Sequence, residues 1–584
     1  MCSEFKVIGL RRTIARIATV AAVGAASVGG ALAQTASLAP DVVAATATVR
    51  VSGYFTAFAA ALQDELRGNS NAELREAYGR RGFRPIWAHE DDQGVVTFPE
   101  ATALLDVLDL AGRHALPVQR YRSSALRGRV QAFVDANGGV RPSRDRLERA
   151  AELERDLSRV FAAYVRDVSS GAIEPRRADK DIKVRPRRPE MAGLIVEIGA
   201  AVDKPRKLRS FAPQSADYQR LLEEYAAAQV EAERAASAEP LRTRKTLKPG
   251  QNRPQIARLR VRLAAIGALP REALARAREE GRLTEFDDEL VDAVRDFQRR
   301  NGLAVDGVVG PQTRRALNAP KTEKVEKIAV NLERIRWLNY DRGQRHIRVN
   351  IADFTMALVQ DGAPVFTSDV VVGKAKDHET PEFNDEMTHI VFNPVWHVPY
   401  SIATEEILPA VQADMSYLDR KNMWVSGPGG GYEDPWYIDW SSLSTEFFPY
   451  RIKQRSGPGN ALGEVKFIFP NQYSIYLHDT PAKKLFRRSY RAFSHGCVRV
   501  AQPRALAEAL LAVEKADPSK AYKRAVRGDR ERYYELKAPV PVYLTYRTAW
   551  VDDAGELQQR QDIYRRDRSV ARALRKAGVE LPSS

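Results

Sequence analysis

The sequence places a cysteine and two histidines close together in its C-terminal third. Cys497 stands in the stretch FSHGCVRV, His495 lies two positions before it, and His478 lies further upstream. A thiolate is the attacking form of cysteine, and a nearby imidazole can remove the thiol proton and stabilise the charge. His495 is too near in the chain to favour a turn back onto the thiol, so we predict Cys497 as nucleophile and His478 as general base. We expect His495 to shape the loop or to donate a hydrogen bond.

The elements around these residues support that prediction. In YSIYLHDTP, Ile475 and Leu477 point to one face of a predicted strand, while Tyr476 and His478 point to the other. His478 is then displayed at a strand end, off the core face. Gly496 lets the backbone approach a substrate carbonyl closely, and successive amide groups around it could form an oxyanion hole.

Two other interpretations of the cysteine are open. A lone buried cysteine is commonly inert packing. His478, Asp479, His495 and Cys497 are also all of zinc-ligand type, but close ligand spacing is lacking apart from His-Gly-Cys itself. The pattern favours the nucleophile, with no metal and no organic cofactor.

Further candidates come from residue type and position. Arg491 and Arg499 could meet a substrate carboxylate or pair with a local acid, and Trp396 and Tyr400 could wall a pocket or fill a core. We take them, with Ser494, as candidate substrate-binding residues. His397, beside Trp396, could likewise wall a pocket or fill a core. The remaining histidines carry no spacing signal and are predicted to lie at the surface: His89, His114, His346, His378 and His389.

The chain has 584 residues, which favours several domains. Residues 54–236 show helical periodicity, as in AELERDLSRVFAAYVRDVSSG, where a glycine follows as a stop signal. The basic, proline-containing stretch at 237–250 is predicted to be a linker.

Residues 251–319 form a compact predicted unit of three helices. LVDAVRDFQRRNGLAVDGVVGPQTRRALN matches the pattern FQxxxGLxxDGxxGxxT in full, and it resembles the peptidoglycan-binding helical domain of wall enzymes. We expect Phe297 and Leu303 mainly to build that fold.

Residues 325–552 are predicted to form a β-rich domain, in which the apolar period becomes two within about twenty residues and hairpins are predicted around Asp361-Gly362 and in VKFIFPNQYSIYLHD. The alternation breaks between about 403 and 459, and an insert this long is usually a functional lid. A basic tail at 553–584 is predicted to be solvated helix.

The N-terminal segment predicts export. Basic residues precede the run IATVAAVGAASVGGALA, which has the form of a signal peptide over residues 1–33, with cleavage after Ala33; a retained anchor is the alternative. No later stretch is long and apolar enough to span a bilayer. The formal net charge of +16 could suit nucleic acid, but export makes an anionic wall polymer or membrane surface the expected counterpart, and scattered arginines can also simply solvate the surface.

HDTP followed by SHGCVRV resembles the motif of the L,D-transpeptidase (YkuD-type) catalytic domain. The stretches NPVWHVPYSI, EEILP, NALGEVKFIFPN, GFRPIWA and QRQDIYRRD extend the similarity to a large, multi-domain periplasmic subgroup with a helical scaffold, a peptidoglycan-binding domain and a lid. The implied fold class is multi-domain α+β, with a helical scaffold, a small peptidoglycan-binding domain and a β-rich catalytic domain.

The resemblance implies a specific reaction. Cys497 would attack the carbonyl of the third residue of a wall tetrapeptide stem, D-alanine would leave, and the side-chain amine of another stem would resolve the thioester into a 3→3 cross-link. The backbone carbonyl of Asp479 would orient His478. Many members have glycine where this chain has Asp479. A carboxylate beside His478 could raise the pKa of that histidine. Carbapenem-type β-lactams would acylate Cys497.

Several alternatives stay open from the sequence. Water as acceptor would make the protein an L,D-carboxypeptidase, and a lipoprotein lysine would make it a wall-anchoring enzyme. A cysteine endopeptidase is less consistent with a histidine that precedes the cysteine, and a non-catalytic wall-binding scaffold would need only residues 251–318. The expected partners are peptidoglycan stem peptides and glycan, and other wall-synthesis proteins, with no nucleic acid.

Overall fold

The structure is a computed structural model that describes residues 53–67, 72–90, 95–137, 140, 142–233 and 239–582. The predicted signal peptide and its cleavage after Ala33 lie outside those residues. No helix within the described ranges is both long enough and apolar enough to cross a membrane.

The N-terminal region is a helical domain around one long central helix. That helix ends where expected, at Gly171, whose φ is 102°, and its apolar side chains form the middle of a large core. The helices are α1 Gly53–Arg67, α2 Ala72–Gly79, α3 Pro99–Asp109, α4 Val118–Tyr121, α5 Ser123–Asn137, α6 Arg144–Ser170, α7 Pro175–Ala178, α8 Met191–Ala200, α9 Lys204–Ser210 and α10 Ala216–Glu233, with a short hairpin of β1 His89–Glu90 and β2 Val96–Thr97.

The second domain contains one helix more than the three expected. Its helices are α11 Pro254–Ala265, α12 Arg271–Glu279, α13 Asp288–Arg300 and α14 Pro311–Leu317. The buried side chain of Gln298 donates to Asp306 at 2.8 Å and accepts from the amide of Gly307 at 2.9 Å. These motif residues therefore build the turn that joins α13 to α14. The predicted linker is partly wrong, because Leu241 and Leu247 are buried in this domain's core.

Helix α15, Lys321–Trp337, corrects the predicted start of the catalytic domain at residue 325. Its apolar side chains belong to the core of the N-terminal helical domain and not to the sheet that follows. The predicted domain boundary was misplaced because α15 leads into the strands without a recognisable linker in the sequence.

The catalytic region is a mixed sheet that closes on itself. Within the described residues it has nine strands in the order β13-β5-β14-β12-β11-β6-β15-β3-β4, and β4 also pairs with β5. The predicted hairpins are present, with Leu358 opposite Phe366 on either side of the Asp361-Gly362 turn and Lys466 opposite His478. The strands are β3 Arg345–Asn350, β4 Thr355–Gln360, β5 Ala363–Gly373, β6 Phe383–Phe392, β11 Val465–Ile468, β12 Leu477–His478, β13 Ala492–Ser494, β14 Val498–Val500 and β15 Arg532–Thr545.

The insert, hereafter the lid (residues 396–454), is more regular and begins earlier than the predicted 403–459. It has a four-stranded sheet of order β7-β10-β8-β9 and an apolar core of its own around Val411, Val425 and Trp440. Its elements are β7 Trp396–His397, α16 Tyr400–Ile402, a π-helical turn Ala403–Ile407, α17 Leu408–Ala413, α18 Tyr417–Arg420, β8 Met423–Ser426, β9 Tyr432–Glu433, 3-10 turns Pro435–Tyr437 and Trp440–Ser442, and β10 Arg451–Gln454.

The C-terminal segment is not a solvated tail. After α19 Pro503–Leu511 and α20 Pro518–Ala525, strands β16 Ala549–Val551 and β17 Leu557–Gln559 pair, and α21 Arg566–Ala577 buries Val570 and Leu574 in the core of the N-terminal helical domain. The prediction failed because α21 is rich in basic residues, so its composition alone does not reveal its apolar face. One of them, Arg566, is itself buried and pairs with Glu382 at 3.4 Å.

Candidate active site

Two parallel neighbouring strands bring the candidate nucleophile and base to one face of the sheet. In the β12–β14 pair, Leu477 lies opposite Val498 and His478 opposite Arg499. Leu477 and Val498 are buried in the core of the sheet, and side chains alternate between faces along a strand. His478 and Arg499 therefore project from the other face.

Cys497 lies directly before β14, beside Tyr476. The amide of Val498 donates to the carbonyl of Tyr476 at 3.1 Å, which sets the two chain segments side by side. The Tyr476 side chain is hydrogen-bonded to the half-buried thiol, and the sulfur lies 3.6 Å from the carbonyl oxygen of Ser474. The strand that carries His478 thus also holds the sulfur.

Burial raises the pKa of the Cys497 thiol, although hydrogen bonding from Tyr476 and the positive charges of Lys466 and Arg499 act in the opposite direction. Lys466 lies opposite His478 in the β11–β12 pair, and its ammonium is 4.1 Å from the centre of the Tyr476 ring. The protonated thiol is therefore the resting form at neutral pH, with two cations in its surroundings.

His478 is buried, and one of its ring nitrogens is already engaged. Nδ1 lies 2.5 Å from the backbone oxygen of Asp479; since a carbonyl only accepts, Nδ1 carries the proton and Nε2 holds a free lone pair. Burial first, and then the charge of Arg499, lowers the pKa of His478 to about 3, against an opposing effect of the Asp479 carbonyl. The imidazole is therefore neutral at physiological pH and able to accept a proton.

The pKa of His478 is lowered and not raised, because burial of the imidazole outweighs any effect of the neighbouring Asp479 carboxylate. That carboxylate accepts from the amide of Thr480 at 2.6 Å, from Lys483 Nζ at 2.5 Å and from the amide of Glu464 at 2.9 Å. The carboxylate is therefore occupied by these three partners, and burial of the imidazole is the largest influence on the pKa of His478.

Ser494 organises the turn before Cys497. Its hydroxyl donates to the carbonyl of Cys497 at 2.5 Å and accepts from the amide of Gly496 at 3.2 Å. Ser494 is 2% exposed, so its side chain faces the turn and not a substrate. The amide of Gly496 is also engaged, which leaves the amide of Cys497 as the better oxyanion donor; no acceptor for it occurs among the described residues.

A threonine from another strand connection holds the same turn. Thr380 is fully buried; its hydroxyl donates to the carbonyl of Gly496 at 2.7 Å and accepts from the amide of Gly373 at 2.9 Å. The carbonyl of Thr380 accepts from Arg566 at 2.9 Å. The turn is thereby tied to the C-terminal segment.

His495 points away from the thiol and towards the lid. Its Nε2 lies 2.7 Å from Oε1 of Glu406 in the π-helical turn of the lid, and Lys374 reaches the same oxygen at 3.8 Å. The ring of His378 packs edge-on against His495, with centroids 4.5 Å apart. His378 is therefore part of this cluster, contrary to its prediction as an isolated surface residue.

The other predicted substrate-binding residues divide into two groups. Arg499 faces the thiol, and its Nε has no hydrogen-bond partner within the described part of the chain. Arg491 is bound to Asp369 at 2.8 Å and to the carbonyl of Phe354 at 3.0 Å, so its guanidinium serves the local fold. Trp396 packs on the lid core, and the Tyr400 hydroxyl donates to the carbonyl of Thr445 at 2.9 Å, so both belong to the lid.

Three of the histidines predicted to lie at the surface contact other side chains. His346 is buried and lies edge-on to Tyr543. His114 is hydrogen-bonded to Tyr218 at 3.1 Å, and burial lowers its pKa to about 4. His378 packs on His495, as described above. His89 is exposed, and His389 is half-buried.

The four groups considered as zinc ligands face different partners. His495 binds the lid, the Asp479 carboxylate binds Lys483, and Nδ1 of His478 is engaged by a carbonyl. Within the described residues, no group of three or more potential ligand side chains is placed to hold a metal ion.

Sequence reasoning missed Tyr476, Lys466, Thr380 and Glu406 as neighbours of the turn. Tyr476 shares a strand face with His478, so the alternation contained its signal. Lys466 and Thr380 are brought in by strand pairing and by a buried contact, and no local pattern identifies them.

A half-buried thiol, a neutral histidine with its lone pair free, and flanking cations are the groups that a cysteine nucleophile requires. The comparisons agree with this chemistry. Residues 344–541 match the YkuD family, described as "L,D-transpeptidase catalytic domain", residues 72–224 match a "Scaffold domain", and residues 252–317 match a "Putative peptidoglycan binding domain".

A protein of Haemophilus influenzae named "Putative L,D-transpeptidase" is 36% identical over 250 residues, which cover 42% of this chain and 49% of that protein. The match thus spans about half the length of this relative. A solved L,D-transpeptidase from Xylanimonas cellulosilytica aligns at 15% identity with a TM-score of 0.17, covering 53% of this chain and 100% of that one. A likeness that low supports no conclusion.

The chain therefore carries an L,D-transpeptidase catalytic domain together with a scaffold domain and a peptidoglycan-binding domain. The roles of the individual residues stay predictions.

Proposed function

We propose that the protein is a peptidoglycan L,D-transpeptidase that forms 3→3 cross-links through a thioester on Cys497. The observation that carries the proposal is the position of Cys497 and His478 within the matched catalytic domain. Cys497 directly precedes β14 and His478 ends the paired strand β12, on the same face of the sheet, and Nδ1 of His478 is held by the carbonyl of Asp479. The lone pair of Nε2 is thereby kept for a proton.

In the proposed acylation, Nε2 of His478 accepts the thiol proton as the sulfur bonds to the carbonyl carbon of the third stem residue. The carbonyl electrons move to oxygen, and the amide of Cys497 stabilises the resulting oxyanion. The proton then passes from His478 to the nitrogen of the terminal D-alanine. The C–N bond breaks, D-alanine leaves, and a thioester remains.

The charge that stabilises the thiolate comes from Arg499 and Lys466. The low pKa of His478 makes an imidazolium costly, so His478 serves as a proton carrier and not as a standing cation. Both cations lower the pKa of the thiol. Formation of the thiolate and attack are therefore coupled to substrate binding.

In the second step, the side-chain amine of a neighbouring stem attacks the thioester. The C–N bond forms, the C–S bond breaks, and the amine proton returns to sulfur through His478. Water in place of the amine would give a tripeptide, which is the carboxypeptidase alternative.

The peptidoglycan-binding domain would hold the enzyme on its polymer and raise the local substrate concentration. Substrates of this kind lie outside the cytoplasm, so we propose a periplasmic location after export through the segment at residues 1–33. Other wall-synthesis proteins are further partners consistent with that location.

The test is to incubate residues 34–584, beside a Cys497→Ala variant, with disaccharide-tetrapeptide and to resolve products by mass spectrometry. We expect a Cys497-dependent dimer that lacks one D-alanine, with a 3→3 bond on fragmentation. A tripeptide alone would move the assignment to a carboxypeptidase. Full function of Cys497→Ala in cells would support a scaffold role instead.

A second test uses a suicide acylator. A carbapenem should add its mass to Cys497 in the wild type and not in Cys497→Ala. The absence of an adduct, at a concentration that labels an established L,D-transpeptidase, would contradict an activated thiol.

A further inference from the structure

The lid exposes five large aromatic side chains although it has an apolar core of its own. We call Tyr400, Tyr432, Trp436, Tyr437 and Phe447 the aromatic face; each is more than half exposed, and Tyr437 is 90% exposed. The lid core is already filled by other residues. Contiguous patches of exposed apolar groups commonly mark binding surfaces, and exposed aromatic side chains gathered on one small subdomain are candidates for such a patch.

The rings are held by a firm framework. Asp434 accepts from the amide of Trp436 at 3.1 Å, and the buried Trp440 donates its Nε1 to the carbonyl of Pro435 at 2.8 Å. The Trp440 and Phe448 rings lie 6.4 Å apart. The turn that carries Trp436 is therefore fixed to the lid core.

The other side of the aromatic face rests on the same buried pair. The Tyr400 ring lies 6.3 Å from the ring of Phe448, and the Tyr400 hydroxyl donates to the carbonyl of Thr445. Phe447 follows within the same turn, its amide bonded to the hydroxyl of Ser444 at 3.3 Å. The exposed rings thus flank one rigid centre and lose little conformational freedom on binding.

The charge around these rings limits the partner. Residues 431–447 contain Glu433, Asp434, Asp439 and Glu446 but no lysine, arginine or histidine, in a chain whose net charge is +16. No salt bridge to these four carboxylates is found among the described residues. This acidic stretch disfavours anionic polymers and anionic lipid headgroups, although the exposed Arg451 lies in the same cross-strand row as Tyr432.

A saccharide chain fits this combination. The C–H faces of pyranose rings pack on exposed aromatic rings, and carboxylates between the rings accept hydrogen bonds from sugar hydroxyl and amide groups. The same chain carries a peptidoglycan-binding domain, and the lid touches the catalytic turn through Glu406 and His495. A glycan whose stem reaches Cys497 would therefore pass close to the lid.

We propose that the aromatic face of the lid binds the uncharged backbone of a β-linked aminosugar strand. This inference rests on the proposed wall function and adds a glycan subsite to it. The subsite would align the strand so that its stem enters the groove at Cys497, and the binding energy would come from stacking and hydrogen bonds, with little dependence on salt.

The binding test uses chitotetraose, a neutral β-1,4-linked tetramer of N-acetylglucosamine, titrated into the full chain by calorimetry. The variants are Trp436→Ala, Tyr437→Ala and the double change. Tyr533→Ala is the matched control, because Tyr533 is 65% exposed on β15 and outside the lid. We expect the dissociation constant to rise at least about tenfold in the double variant, to stay unchanged in Tyr533→Ala, and to be insensitive to salt.

Three outcomes would overturn the proposal: no binding by the wild type, equal affinity in the double variant, or an equal loss in Tyr533→Ala. Binding of a lysine-rich peptide in place of chitotetraose, abolished by salt, would assign the face to a cationic partner and would overturn it as well.

A second readout separates this proposal from the function it rests on. The ratio of cross-linking on intact sacculi to that on soluble disaccharide-tetrapeptide should fall at least about tenfold in the double variant. An unchanged ratio, with normal Cys497-dependent cross-linking by the wild type, would overturn the glycan subsite alone. No turnover of either substrate by the wild type would instead remove the proposed function.

Discussion

The turn that carries the nucleophile and the lid that contacts it are held in contrasting ways. The turn at residues 493–500 is fixed by buried hydrogen bonds from Ser494 and Thr380. The lid has its own core and sheet. The hydrogen bond between Glu406 of the lid and His495 of the turn is exposed. We infer from this difference that the turn around the proposed nucleophile, Cys497, is preorganised independently of the lid, so that the lid can move without disturbing it.

The largest expected effect tests the rigidity of the turn. Gly496 has a φ of +110°, and a Cβ added there would lie 3.2 Å from Cδ1 of Ile475. Backbone strain of this kind costs about 1–3 kcal/mol, so we expect Gly496→Ala to lower kcat by about a hundredfold where the turn shifts to relieve it. The measurement is steady-state release of D-alanine.

Gly343→Ala is the control for that change, because Gly343 has a φ of +79° with no neighbour within 4 Å. It should cost stability without comparable loss of kcat. An equal loss of kcat in both variants would mean that general destabilisation, and not the turn, explains the effect.

The pH dependence sharpens the same comparison. The pKa of the thiol is raised by burial, and that of His478 is lowered to about 3. Below the thiol pKa, the thiolate fraction rises about tenfold per pH unit. Alkylation of Cys497 by iodoacetamide should therefore accelerate from pH 6 through pH 9, with no step near the ordinary imidazole pKa.

Peptide mass mapping of Cys497 at each pH provides this rate. A plateau reached by pH 7 would show a standing thiolate–imidazolium pair and would contradict the neutral resting state.

A smaller effect tests the connection from the turn to the C-terminal segment. Thr380→Val keeps the shape but removes the bond to the carbonyl of Gly496 and the acceptor of the Gly373 amide. Unsatisfied buried groups cost about 1–3 kcal/mol. We expect kcat to fall about tenfold with KM unchanged, and Thr380→Ser to restore most of it.

Thr545→Val is a matched control, since the buried Thr545 hydroxyl also donates to a carbonyl, that of Val349, at 2.8 Å. It should lose similar stability while kcat stays within about twofold of the wild type. If Thr545→Val lowers kcat as much as Thr380→Val does, Thr380 has no positioning role.

The parts of the fold and of the candidate site that depend on local sequence patterns could be predicted from the sequence. The SHGC motif and the alternation around His478 predicted that Cys497 and His478 lie on one face of neighbouring strands, and the glycine-rich turn motif identified the second domain. Helix α6 was predicted by its period of apolar residues and ended at Gly171.

What the sequence could not provide depends on contacts between distant segments. Lys466 reaches the site by strand pairing and Thr380 through a buried bond. Ser494 was taken as substrate-binding because its type fitted, whereas its bonds are internal. Helix α21 looked solvated because the burial of Arg566 against Glu382 depends on a tertiary partner.

The smallest expected effect tests the exposed bond between the two regions. Glu406→Gln removes the charge that holds His495 and Lys374, while Glu405→Gln changes an exposed neighbour on the same π-helical turn. Exposed ion pairs contribute little, so we expect Glu406→Gln to speed carbapenem acylation of Cys497 by about two- to threefold, because the lid opens more often. Glu405→Gln should match the wild type. A large loss of acylation in Glu406→Gln would mean that the lid contact helps to build the nucleophile site, and the independence of turn and lid would then be wrong.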